Sequence, residues 1–218
     1  MKHFIYIKEN SKRVKDKNFV FVGGQPLWGN LISELTDEDV YIDTDSEVVE
    51  FACRSIDHVT CYKRLQKHID IEEDEQFNLS PALLMIDRFL DMYVEDENEI
   101  IVTPHVTSPF IKLETIKDAA KRLEDEYDSV QACTSHQEFA YYKDEPINFE
   151  PSVVQKTQDL EPVKLGNGAF FIFTKKTFKE NKNRVGKKPF LYPLSMPESI
   201  EIDTYQDLSL ARMWTYCG

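Results

Sequence analysis

"VYIDTDSEVVEFACRSIDHVTCY", residues 40–62, decides the fold. It opens on an apolar run that ends at Asp43, passes through an amphipathic stretch from Ser46 to Ser55, and closes on a second apolar run at 58–62. The spacing predicts strand, helix and strand, with Ser46 at the N-cap. A crossover of this length lays its two strands parallel. The pattern continues on both sides. "HFIYI" (3–7) reads as a buried strand, "PLWGNLISEL" (26–35) as a helix, and "SPALLMIDRFLDMY" (80–93) as a helix with Ser80 at the cap and Pro81 in the first turn. Downstream, 99–104 reads as a strand, 112–126 as an amphipathic helix, 129–134 as a strand, "GAFFIFTKKTF" (168–178) as a strand running into a helix, and 205–216 as a closing helix. The expectation is an α/β fold, a mainly parallel twisted sheet with helices on both faces, in one domain spanning 1–218. Residues 135–165 break the periodicity and read as an excursion over the active face, with a hairpin suited to dimer contact.

Composition narrows the function classes. A chain of 218 residues with 41% hydrophobic and 30% charged residues builds a packed core. Its 26 Lys+Arg against 39 Asp+Glu give a net charge of -13, which argues against a nucleic acid or anionic membrane as partner. Any anion must be gripped locally. Four scattered cysteines without metal-ligand spacing fit a reducing cytoplasm, and no stretch approaches the roughly 20 apolar residues of a membrane span.

Ligands of such sheets bind at the carboxyl ends of the strands. The loop after Ile7, "KENSKRVKDKN", carries Lys8, Lys12, Arg13, Lys15 and Lys17, enough cations to hold a polyphosphate, although the P-loop pattern is absent. A bare charge run is also read as a solvated loop. "YIDTDS" places Asp43 and Asp45 where a D-x-D pair could hold a divalent cation, or where Asp45 and Ser46 simply cap a helix. In "PESIEIDTYQDL", Ile200 and Ile202 alternate with Glu201 and Asp203. This reads as a two-faced edge strand, or as two carboxylates set for Mg²⁺. His3, His58 and His68 lack partners at triad or metal spacing and read as structural.

Taken in order, "SKRVKDKN" (11–18), "GGQPL" (23–27), "TDS" (44–46), "TSP" (107–109), "QDLEPVKLGNGAFFIF" (158–173) and "IEIDTYQDLSLA" (200–211) resemble the acylneuraminate cytidylyltransferase family across nearly the whole chain. The resemblance implies a Rossmann-like nucleotidyltransferase fold. It also implies a reaction in which a sugar-acid hydroxyl attacks the α-phosphate of CTP and pyrophosphate leaves. By this resemblance Lys8, Asn10, Ser11, Lys12, Arg13, Lys17, Asn18 and Arg64 contact the nucleotide, and Lys17 and Asp203 serve the chemistry. Glu201 and Asp203 hold Mg²⁺, and the 135–165 excursion builds a homodimer. The sugar acid would meet His105, Thr107 and Ser108, with His136, Tyr141 and Asn167 as further contacts. The family's R-G-G reads Lys8-Glu9-Asn10 here, and its Gln-Pro before T-S-P reads His105-Val106. Two other readings stay open on the residues: a non-catalytic nucleotide-binding homologue, and a glycosyltransferase using Asp43 and Asp45.

Overall fold

The computed structural model describes residues 1–11, 13–74 and 81–217. Seven strands build one sheet: β1 (Lys2–Ile7), β2 (Asp39–Thr44), β3 (Val59–Lys63), β4 (Ile100–Pro104), β5 (Ser129–His136), β6 (Val163–Thr174) and β7 (Pro189–Pro193). Their spatial order is β7-β5-β6-β4-β1-β2-β3. β1 pairs in parallel with β2 and β4, β2 with β3, and β5 with β7. The stretch at 40–62 is therefore the parallel unit that its pattern predicts.

Strand β6 runs antiparallel to both β4 and β5. No crossover helix separates β5 from β6, so the chain turns back beside itself rather than passing over a face. This corrects the boundaries of the excursion. Val163 pairs with His136, and sheet pairing reaches into both ends of 135–165, leaving 137–162 outside the sheet. Within it a small hairpin joins Tyr141–Tyr142 to Glu145–Pro146 through Lys143 and Asp144, both at positive φ, the geometry of a tight two-residue turn. β7 escaped sequence reading because prolines bracket it, and prolines suit an edge strand.

Helices α1 (Leu27–Glu34), α2 (Glu47–Cys53), α3 (Gln66–Glu73), α4 (Ala82–Tyr93), α5 (Leu113–Ala120), α6 (Lys175–Asn181) and α7 (Tyr205–Cys217) complete the chain. Period-two alternation sorts β1: Ile5 and Ile7 pack with α1, α2 and α5, while Phe4 packs with α4 and α6 on the other face. Phe4 stacks on Phe89 of α4 at 4.7 Å. The helix expected over 112–126 stops at Ala120 and tightens into a 3₁₀ turn over Lys121–Glu124, where the apolar face gives way to charge. Ser46 occupies the N-cap of α2, but its hydroxyl is buried without a partner; the local bond runs from the Ser46 amide to Thr44 Oγ1. Ser80 lies outside the described residues.

A third apolar cluster positions the site. Val14, Val22 and Leu27 pack with Ile200, Ile202, Leu208 and Ala211. The expected edge strand at 200–203 does not form, and this segment is irregular. Ile202 donates its amide to Thr107 O at 2.8 Å, while both isoleucines are buried in the cluster. Their alternation with Glu201 and Asp203 thus reflects packing beneath an extended segment, not sheet pairing. By burying both segments together, the cluster draws the basic loop and the acidic pair to the same end of the sheet.

Candidate active site

A cleft of ≈ 270 Å³ opens at the carboxyl ends of β1 and β4. Its cationic side comes from the loop after β1. Lys17 is buried, and its Nζ donates to Asp203 Oδ1 at 2.9 Å; the exposed Arg13 reaches the same oxygen through Nη2 at 2.7 Å. Asn18 closes the loop on itself, Nδ2 donating to Lys8 O at 2.8 Å. Lys8 borders the cleft and pairs with Glu72 of α3 at 2.7 Å. The first and last parts of the chain therefore meet on one carboxylate, 186 residues apart in sequence.

The acidic side is preorganised too. Glu201 Oε2 accepts from the Gly168 amide at 2.9 Å, and Oε1 faces His105 Nδ1 at 4.0 Å. Burial alone would raise the Glu201 carboxyl, but the His105 contact and the Gly168 amide hold it below its ordinary range. Burial likewise works against Asp203, and the bond and charge of Lys17, with Arg13, hold that carboxyl low as well. Burial lowers His105 and outweighs the pull of Glu201, so its ring is neutral near pH 7. Among the described residues no group of three or more His, Cys, Asp or Glu side chains is arranged around a metal position.

Several sequence candidates take structural places. Arg64 lines the cleft but spends its fork inside the protein: Nε on Asp43 Oδ1 at 2.7 Å, Nη1 on Glu72, and Nη2 on the carbonyls of Ile7 and Asp43. Asp43 is fully buried, and Arg88 holds its second oxygen at 3.4 Å. Asp45 accepts from the Glu9 amide at 2.8 Å. Asp43 is thus committed to internal ion pairs, which removes the geometric basis of the glycosyltransferase reading. Asn167 braces the acidic segment, Nδ2 donating to Ser199 O and Oδ1 accepting from the Ala169 amide.

His105 and Thr107 line the cleft, whereas Ser108 is fully buried beneath it with its hydroxyl unpartnered. Ser11 has a covered, unpartnered hydroxyl, and Asn10 borders a separate shallow depression beside Phe19 and Val48. His136 is exposed and bonded to Thr134, and Tyr141 packs on Phe149 in the excursion. Neither borders the cleft. Lys12 lies outside the described residues. Sequence reading missed Tyr6 and Glu72, which line the cleft, and Arg184, which bonds to its wall. Strand alternation could have flagged Tyr6, which faces opposite to Ile5 and Ile7, but nothing periodic marks the other two.

A sheet of this order, with a basic first loop facing an acidic pair, defines a nucleotidyltransferase-type fold. It aligns with the solved structure of a CMP:2-keto-3-deoxy-manno-octonic acid synthetase complexed with CTP at TM-score 0.67 and 12% identity, over 99% of this chain and 98% of that one. Francisella tularensis 2-C-methyl-D-erythritol 4-phosphate cytidylyltransferase gives TM-score 0.63 at 10% identity, over 98% and 99%. The model of the family described as Cytidylyltransferase matches residues 8–185, and the chain belongs to that family. It is 26% identical over 216 residues to the N-acylneuraminate cytidylyltransferase of Streptococcus agalactiae serotype V, covering 92% of this chain. The chain spans about half, 49%, of that relative's length.

Proposed function

We propose that this protein is a cytidylyltransferase that joins CMP from CTP to a sialic-acid-like or other 3-deoxy sugar acid. The observation that carries the reading is the meeting of Lys17 and Arg13 with Asp203 in a cleft that also holds Glu201, in a chain of this family. The acceptor hydroxyl oxygen forms a bond to the α-phosphorus as the bond to the β-phosphate oxygen breaks; the hydroxyl loses its proton and pyrophosphate departs. Such transfers rest on positioning and charge neutralisation. Lys17, buried and bonded to Asp203, stabilises negative charge growing on the leaving group, and the exposed Arg13 binds the phosphates. The clasp of Asn18 on Lys8 fixes the loop around them.

Glu201 and Asp203 fit Mg²⁺. They are oxygen donors two residues apart on one side of an extended segment, and Mg²⁺ takes one or two carboxylates, with water and phosphate completing its shell. The ion would neutralise phosphate charge and align the α-phosphate. Before nucleotide binds, Lys17 and Arg13 occupy Asp203 Oδ1; triphosphate oxygens compete for those cations and free the carboxylate.

The test is pyrophosphate release from CTP with N-acetylneuraminate, 3-deoxy-manno-octulosonate and other sugar acids, with UTP, ATP and GTP as controls. CTP-selective, acid-dependent release is expected. CTP binding without release across all acids would make the protein a non-catalytic homologue. We assign the partner to a second copy of this chain, through the exposed hairpin residues Tyr141, Tyr142 and Ile147. Sedimentation as a monomer at all concentrations would contradict that assignment. A reducing cytoplasm suits the free Cys53, Cys61 and Cys133, and no described helix is long and apolar enough to cross a membrane.

A further inference from the structure

Arg184 bonds to two residues of the cleft wall and pairs with no carboxylate among the described residues. Its Nη1 donates to Tyr6 Oη at 3.1 Å and to His105 Nε2 at 3.3 Å, and its guanidinium lies over the Phe171 ring at 3.7 Å. Tyr6 and His105 both line the cleft. A guanidinium only donates, so His105 Nε2 must accept, which leaves the ring proton on Nδ1, facing Glu201. Tyr6, at 2.7 Å from Nε2, donates to the same nitrogen. The groups that bind Arg184 are thus neutral. Among the described residues it makes no ion pair, and its Nε and Nη2 make no hydrogen bond.

The loop that carries Arg184 is built to hold it still. Asn183 Oδ1 accepts from the amides of Val185 and Gly186, both at 2.8 Å, and Ser129 Oγ bonds to the Val185 carbonyl. Asp128 takes the amides of Lys187 and Lys188. Lys182 and Gly186, at φ 55° and 68°, turn the backbone at either side. This half-buried arginine, stacked on an aromatic ring and oriented by two neutral partners, keeps its Nε–Nη2 edge, a planar fork, without a partner among the described residues. That geometry matches a carboxylate or phosphate bidentately. In a chain of net charge -13, where other cleft cations already have carboxylates, this unpaired fork is a binding group waiting for an anion.

We propose that Arg184 is the receptor for the anionic group of the acceptor, a carboxylate or phosphate that its Nε–Nη2 edge chelates beside Tyr6 and His105. The proposal rests on the cytidylyl-transfer reading for the word acceptor. The acceptor's anion would then lie beside Tyr6 and His105, which both line the cleft.

Calorimetry on the intact protein tests it without requiring turnover. The probes are N-acetylneuraminate, its methyl ester, 3-deoxy-manno-octulosonate and 2-C-methyl-D-erythritol 4-phosphate, each titrated with and without CTP. The expected result is that Arg184→Met weakens binding of the anionic probes by roughly 10- to 100-fold, Arg184→Lys by less, and neither changes CTP affinity. The methyl ester should bind wild type and Arg184→Met equally weakly. Loss confined to the sugar acids assigns a carboxylate, and loss confined to the sugar phosphate assigns a phosphate; each upholds the receptor. Wild-type affinity for every anion in Arg184→Met, or failure of wild type to bind any of them, overturns it. If the acids bind through Arg184 yet no pyrophosphate is released, the receptor stands and the transfer reading falls.

Discussion

Replacing Gly168 by alanine should disarm the site while leaving the fold standing. A methyl group there would lie 2.2 Å from Glu201 Oε1, 2.9 Å from its Cδ and 3.0 Å from Oε2. Ordinary contact distances require the carboxylate to retreat by about 1 Å. Since the obstacle is the far end of a flexible side chain, the retreat is feasible and should cost about 1 kcal/mol, the low end for overpacking. It also stretches the bond from the Gly168 amide to Oε2, one of the groups that hold Glu201 ionised. A misplacement of about 1 Å at a reacting centre typically costs about 100-fold in rate, so Gly168→Ala should lose about two orders of magnitude in kcat and need more Mg²⁺. Pyrophosphate release at saturating CTP across a Mg²⁺ titration, paired with thermal unfolding, reads both effects. Unchanged kcat and Mg²⁺ response in a folded Gly168→Ala variant would refute the claim that the Gly168 seat aligns Glu201.

Three further outcomes follow from the geometry. His3 is fully buried with neither ring nitrogen hydrogen-bonded, and burial, outweighing Glu38 at 3.9 Å from Nδ1, lowers its pKa from 6.5 to about 4. The unfolded chain therefore binds a proton that the folded one refuses between those values. Its contribution is complete above pH 6.5 and is lost as pH falls towards 4, by about 3 kcal/mol; His3→Leu should flatten this part of the urea-midpoint profile, and an unaltered profile would count against it. Arg64→Met leaves the buried Asp43 with Arg88 alone and should cost about 3 kcal/mol of stability, whereas a pure nucleotide contact would lose affinity alone. Asp45→Ala loses the Glu9 amide bond, worth about 1 kcal/mol, and should leave metal dependence intact; a variant that no longer responds to Mg²⁺ would revive the D-x-D reading.

The parallel unit at 40–62 was legible because its apolar periods switch from two to helical and back within one crossover length. Strand direction was not: Phe170–Phe173 reads as buried whichever way it runs, and only the missing crossover helix makes β6 antiparallel. Lys17, Glu201 and Asp203 stand in a recognisable order of motifs, and all three line the cleft. Arg64, Asp43 and Asn167 carry equally suggestive chemistry, yet each is bonded within the protein. Burial depends on what packs above a residue, and local spacing does not encode it. Arg184 was illegible for the opposite reason: its place comes from a turn held by Asn183, Ser129 and Asp128, contacts that no single stretch contains.

The most direct test is CTP affinity by calorimetry, with and without Mg²⁺, in wild type and Asp203→Asn. If Asp203 and Lys17 serve one metal-bound triphosphate, Mg²⁺ tightens CTP binding in the wild type and that enhancement disappears in Asp203→Asn. An equal Mg²⁺ enhancement in both proteins would contradict it.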